Sequence, residues 1–289
     1  MNNIPNQSLK NGFTLPKLGF GTWLMGQRMS YGPAADDLEN IKATRQAVDS
    51  GVMHIDTAEL YGDGYVEEMI SKALAGVDRS KLFITSKVKG GNATKEGIQN
   101  AIEKSLLRLK TDYLDLYLIH YRDESLDLEE GILALNDLVD QGLVRSIGVS
   151  NFAVPTLKKA LSYSKHPIVV NQVQYSLQHR EAEANRVLDF CQKNDIILEA
   201  WGPVRPINSQ TINIPIVNSI CQKYSLTAFQ LAISWLISQQ NVTTLFKTSS
   251  LDHLSENLKA ANTILEKADI ELVRKEFPGQ AITSGFGMR

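Results

Sequence analysis

The sequence predicts an α/β fold, a single (β/α)8 TIM barrel with a short N-terminal β-hairpin. Three observations carry this. Eight short apolar runs are each followed by a segment of helical period, the pattern of a parallel sheet with crossover helices. The runs are often apolar on both faces, as in YLDLYLI (113–119) and IVVNQV (168–173), which suits strands covered on both sides. No Pro-, Gly- or Ser-rich linker and no internal repeat interrupts the chain. Eight units in 289 residues fit a closed barrel better than an open sheet. At 43% apolar composition the chain can bury a large core without disulfides or metals. The expectation is one domain over 1–289, with the hairpin in 1–16 and a C-terminal helix and tail in 265–289.

In chain order, SLKNGFTLP (8–16) reads as a hairpin turning at Asn11 and Gly12. Apolar runs follow at 18–20, 52–55, 82–86, 114–120, 146–149, 168–173, 196–200 and 243–246. Helical periodicity marks 36–50, 65–75, 95–108, 128–141, 153–164, 181–194 and 251–262. The interval 201–242 holds two helices, 214–224 and 228–238.

Charge excludes a general nucleic-acid binder. Thirty basic residues nearly cancel 32 acidic ones, leaving −2. Two cysteines, Cys191 and Cys221, are too few for a disulfide framework and form no C-x-x-C. No window is apolar enough to span a membrane, and the polar start MNNIPNQSLK lacks a signal-peptide core. A cytoplasmic protein with no membrane or nucleic-acid partner is expected. A monomer is plausible, although the sequence leaves the oligomeric state open.

A barrel places chemistry at the C-terminal ends of its strands. The polar residues closing the runs are Gly21, Thr22 and Trp23, then Asp56, Lys87, His120, Ser150, Asn151, Gln172, Trp201, Lys247 and Thr248. Asp56, Tyr61, Lys87 and His120 form a coherent acid–base device. Tyrosine is a weak acid at neutral pH. An adjacent ammonium lowers its pKa, and an aspartate holds that lysine charged. The tyrosine can then give a proton to a developing alkoxide while the histidine orients the same oxygen.

These residues lie in strings that resemble the aldo-keto reductases: GFGTW (19–23), HIDTAELYG (54–62), ITSKV (84–88), YLIHY (117–121), GVSNF (148–152) and SEN (255–257). The resemblance runs in barrel order over nearly the whole chain. It implies an NADPH-dependent reductase of aldehydes or ketones, with a small carbonyl compound as partner. It also implies Tyr61 as acid, Lys87 and Asp56 as its tuners, and His120 as orienter. Ser150, Asn151 and Gln172 resemble the residues that hold the nicotinamide carboxamide. Thr22 and Trp23 fall beside the cofactor, with Trp23, Tyr61 and His120 lining the substrate pocket. Trp201 stands where the family usually has a stacking tyrosine. Gly202 and Val204 fall in the loop over the pyrophosphate. Lys247, Thr248, Ser249, Glu256 and Asn257 match the 2′-phosphate and adenine segment in position. His253 occupies the place of the usual arginine, so NADH is an open second cofactor.

Other readings are weaker. G-x-G-x-x-G fails because Leu24 and Glu67 stand where the last glycine is needed. His54, His120, His166, His179 and His253 show no metal-ligand spacing, and His54 reads as structural. Two alternatives stay open: an NADPH-binding sensor or regulatory subunit, and an aldolase-type barrel with Lys87 as a Schiff-base lysine.

Overall fold

The computed structural model describes residues 4–27, 29–205, 207, 214–276 and 288. Two short strands, β1 (Asn6–Ser8) and β2 (Thr14–Pro16), pair antiparallel as the N-terminal hairpin. Its turn has Gly12 at φ +90°, and Asn11 Oδ1 accepts from the Phe13 amide at 3.0 Å. Eight parallel strands then close into a barrel: β3 (Leu18–Gly21), β4 (His54–Asp56), β5 (Phe83–Val88), β6 (Leu116–Ile119), β7 (Ile147–Ser150), β8 (Ile168–Gln174), β9 (Ile197–Trp201) and β10 (Val242–Phe246). The seam is made by β10 against β3, with Thr244 opposite Leu18 and Phe246 opposite Phe20.

Helices alternate with the strands: α1 (Asp37–Asp49), α2 (Tyr65–Ala73), α3 (Lys95–Leu109), α4 (Leu128–Asp140) and α5 (Val154–Tyr163). Periodicity over 181–194 predicts one helix, yet the structure holds two, α6 (Glu181–Ala184) and α7 (Val187–Lys193). Arg186 between them adopts φ +60°, a left-handed residue that no continuous helix tolerates. Then come α8 (Pro215–Tyr224), α9 (Ala228–Ile237), α10 (Leu251–Ala261) and α11 (Lys267–Glu276). Helix α9 is buried almost throughout and starts on a reciprocal Thr227–Gln230 cap. Apart from Met288, the predicted tail lies outside the described residues.

The hairpin closes one end of the barrel. Its Leu9 and Leu15 pack with Leu116, Val169, Val170 and Ile197, residues at the beginnings of strands. That leaves the opposite end, where the strands finish, open for chemistry.

Candidate active site

A cavity of about 340 Å³ opens at the C-terminal ends of the strands. Gly21 ends β3, Asp56 ends β4, Ser150 ends β7 and Trp201 ends β9. Lys87 is the penultimate residue of β5, His120 follows β6, Gln172 lies within β8, and Lys247 follows β10. Tyr61 comes from the turn after β4, where Gly62 and Gly64 take positive φ and fold the chain back over the barrel mouth.

The Lys87 ammonium is completely buried and donates three hydrogen bonds. It reaches Asp56 Oδ1 at 2.7 Å, the Thr57 carbonyl at 2.9 Å and the Tyr61 hydroxyl at 3.2 Å. Its donor capacity is complete. Burial works against the charge, but the Asp56 carboxylate and Tyr61 outweigh it and hold Lys87 above the usual lysine range. An ammonium so held is the wrong state for a Schiff-base nucleophile.

The pKa of Tyr61 differs from the sequence expectation. Burial raises the phenol above its ordinary value, Lys87 pulls it down, and Asp56 pushes it up again. The sequence names the ammonium but not the burial, which outweighs it. Tyr61 is therefore a protonated phenol at neutral pH, with its ring 4.9 Å from Trp23 and 5.6 Å from His120 between centroids. Burial, with the Lys87 charge nearby, drives His120 well below the usual histidine range, so its imidazole is neutral.

Ser150, Asn151, Gln172 and Trp201 line the same cavity. Asn151 sits at φ +61°, and its amide donates to the His120 carbonyl at 3.1 Å and to Ser150 Oγ at 3.0 Å. Its Oδ1 accepts from the Trp201 indole at 3.2 Å. Gln172 gives its two amide hydrogens to Asp56 Oδ2 and Glu199 Oε2 at 2.8 and 2.7 Å. Its Oε1 is left as an acceptor. The Ser150 hydroxyl donates to the Gln172 main-chain carbonyl at 2.8 Å. The set fits a nicotinamide: acceptor oxygens at Gln172 Oε1 and Ser150 Oγ, and a flat aromatic wall at Trp201.

Gly202, Val204, Lys247 and Asn257 also line the cavity, as does Trp23. Thr22 does not; it is fully buried and donates to the Asp56 carbonyl at 2.9 Å, propping that strand end. Thr248 and Ser249 on the turn after β10, and His253 and Glu256 in α10, lie beyond the lining. The Thr248 hydroxyl is already engaged with the Ser250 backbone, at 3.0 and 3.3 Å. The Ser250 side chain accepts from the His253 amide as the cap of α10.

Sequence reasoning missed three residues. Leu24 lines the cavity at φ +71°, a strained conformation for a branched side chain, and nothing in the sequence marks it. Arg205 adds an exposed cation beside Gly202. Glu199 is the acidic residue inside the otherwise apolar run IILEAW, a signal that was available. Among the described residues no group of His, Cys, Asp and Glu could hold a metal ion. No described helix is long and apolar enough to cross a membrane.

Residues 17–276 match the aldo/keto reductase family profile. The chain is 33% identical over 269 residues to methylglyoxal reductase YeaE of Escherichia coli (strain K12), covering 92% of each. It is 36% identical over 239 residues to an NAD/NADP-dependent indole-3-acetaldehyde reductase of Schizosaccharomyces pombe, covering 80% of this chain and 81% of that one. An aldo-keto reductase from Klebsiella pneumoniae solved in complex with NADPH superposes with a TM-score of 0.83 at 30% identity, over 96% of this chain and 97% of that chain.

Proposed function

This chain belongs to the aldo/keto reductase family, and on that premise we propose that it reduces aldehydes or ketones to alcohols with NADPH. The observation that carries the reading is the Lys87 ammonium, bonded at once to Asp56 and to the Tyr61 hydroxyl at the cavity foot.

The nicotinamide supplies a hydride to the carbonyl carbon when bound. The residues of this chain supply the rest. Tyr61 gives its hydroxyl proton to the carbonyl oxygen, so the product is an alcohol and no free alkoxide is released. A phenol with a raised pKa is in the right state to do so, because an alkoxide is a far stronger base than a phenolate. As the proton leaves, the phenolate forms against an ammonium already in place. Neutral His120 orients the same oxygen. Asp56 keeps Lys87 charged, and Thr22 holds the Asp56 strand end.

Trp23, Leu24 and Trp201 wall the reacting centre and exclude water. Gln172 Oε1 and the remaining lone pair of Ser150 Oγ would accept from the carboxamide, with Trp201 against the ring. Asn151 braces Trp201 and His120 rather than presenting its own hydrogens. Gly202, Val204 and Arg205 would lie along the pyrophosphate. Lys247 would supply charge to a 2′-phosphate, with Ser249 and His253 beyond it and Glu256 and Asn257 toward the adenine.

Absorbance loss of NADPH against a panel of aldehydes and ketones tests this. Carbonyl-dependent oxidation with one alcohol formed per NADPH is expected. NADPH that quenches tryptophan fluorescence but is oxidised with no member of the panel would refute it.

A further inference from the structure

Glu199 is completely buried in β9, and its register neighbours are Gln172 on β8 and Thr243 on β10. Its Oε2 accepts from Gln172 Nε2 at 2.7 Å, and the same nitrogen donates to Asp56 Oδ2 at 2.8 Å. One amide thus bridges two carboxyl groups. Glu199 Oε1 lies 3.6 Å from His54 Nδ1, and both atoms are buried without a hydrogen-bond partner. The other ring nitrogen of His54 is 3.0 Å from Thr85 Oγ1. His54 reaches this place because Gly19 has no side chain; a Cβ there would lie 2.4 Å from Nδ1.

The charges around Glu199 do not balance if it is ionised. His54 and Asp56 face it from β4 and Lys87 from β5, with Tyr61 beyond Lys87. Gln172 from β8, Thr243 from β10 and Gly19 from β3 carry no charge. Burial holds His54 neutral, with its pKa lowered to about 3. Lys87 is then a single cation for two carboxyls, and its 2.7 Å contact assigns it to Asp56. A second buried carboxylate with no cation of its own is strongly disfavoured. Burial, reinforced by the Asp56 charge, pushes Glu199 up to about 8. In the tautomer whose Nε2–H donates to Thr85 Oγ1, a proton on Oε1 would also give His54 Nδ1 the donor it lacks, after a small rotation that closes the gap.

We propose that Glu199 is a positioning residue held in its protonated form, with its O–H turned toward His54, and that this neutral carboxyl fixes the Gln172 amide and keeps a second negative charge away from the Asp56–Lys87–Tyr61 chain. The proposal rests on the reading of Tyr61 as proton donor. Loss of the Glu199 proton places an anion across Gln172 from Asp56. That field opposes proton loss from Tyr61 and makes it a weaker acid. Carbonyl reduction therefore slows as Glu199 ionises.

Glu199→Gln mimics the protonated form, since an amide accepts from Gln172 and donates to His54 in the same places. The experiment follows reduction with deuterated and ordinary NADPH, so that hydride transfer is what is read. The wild-type rate is expected to fall about 3–10-fold between about pH 7 and about pH 9. Glu199→Gln is expected to change less than about twofold over that range. The same decline with the same midpoint in the variant would overturn the coupling. Infrared spectra of wild type with isotope-labelled glutamate give a second arm that needs no variant. A protonated carboxyl band is expected at neutral pH, shifted by glutamate labelling and unmoved by aspartate labelling, and lost with a midpoint near 8. Absence of that band at neutral pH overturns the proposal. Failure of wild type to reduce any carbonyl would instead strike the functional reading, while the infrared titration still decides where the proton sits.

Discussion

At the foot of the cavity each hydrogen of the Lys87 ammonium is committed, to Asp56, Thr57 and Tyr61, and all of these groups are buried. At the far rim Lys247 and Ser249 on the turn after β10, and His253 in the first turn of α10, stand exposed, and the hydrogen bonds there serve the local backbone. The foot fixes charge before anything binds, and a group removed there leaves a buried partner uncompensated. The rim offers charge through solvent, where salt screens it and each contact is worth little. On the proposed function, the same fold therefore carries one region suited to chemistry and another suited to modest, adjustable selection.

The sharpest way to break this contrast is Tyr61→Phe, which removes the proton donor and keeps the ring. Turnover should fall about 10²–10⁴-fold while NADPH affinity survives. Retention of more than a third of wild-type turnover, with hydride transfer rate-limiting, would remove Tyr61 from the mechanism. Lys87→Met should do comparable damage by another route. It strands the buried Asp56 carboxylate, so chemical denaturation should show a loss of about 3–5 kcal/mol alongside the lost turnover. Stability unchanged in that variant would mean the foot is less committed than its geometry implies.

A smaller effect concerns pH. Glu199 has a folded pKa raised from 4.5 to about 8, so its contribution is fully present below about 4.5 and is lost as pH rises through about 8. His54 has a folded pKa lowered from 6.5 to about 3, so its contribution is lost as pH falls below 6.5. Between about 4.5 and 6.5 the two windows overlap and these two slopes oppose each other, with buried His120, also held low, adding to the histidine side. Above 6.5 only the glutamate acts, and stability should decline by on the order of 2 kcal/mol up to about pH 8, at about 1.4 kcal/mol per pH unit. Urea titrations of wild type and Glu199→Gln across that range would show the decline in the first and its absence in the second. Parallel curves would count against a buried protonated carboxyl.

The smallest effects belong to the rim. Lys247→Ala should weaken NADPH relative to NADH by about 1 kcal/mol, roughly fivefold, and the difference should shrink as salt is added. His253→Arg should tighten NADPH by about 1–2 kcal/mol through a fixed charged fork. Equal affinity for both cofactors in the wild type would show that Lys247 does not select a phosphate.

The barrel was legible because its evidence is local. Each apolar run carries its own strand signal, and each ends on a polar residue that the closed sheet gathers at one mouth. Asp56, Tyr61, Lys87 and His120 could be read together for that reason. The role of Glu199 escaped because its partners come from other strands: Gln172 and Thr243 meet it by strand pairing, and His54 only across the closed barrel. The direction of the Tyr61 shift escaped for a related reason. A sequence shows which charges neighbour a phenol, but burial depends on everything packed around it. The left-handed Leu24 and Arg186 carry no residue-type signature at all.

The pairing of β10 with β3 has a kinetic consequence. Leu18 and Thr244 lie near opposite ends of the sequence, so this seam is the strand pairing that closes the longest loop. Contacts of that span form slowly, and until they form the last strand is an unpaired edge. The residue facing Glu199 from β10, and the cation that follows that strand, arrive only with the closing step. A chain emerging from the ribosome therefore holds Asp56, Tyr61, Lys87 and His120 in its first half well before it holds a finished cavity, and recovery of cofactor binding during refolding should track closure of this seam rather than growth of helical signal.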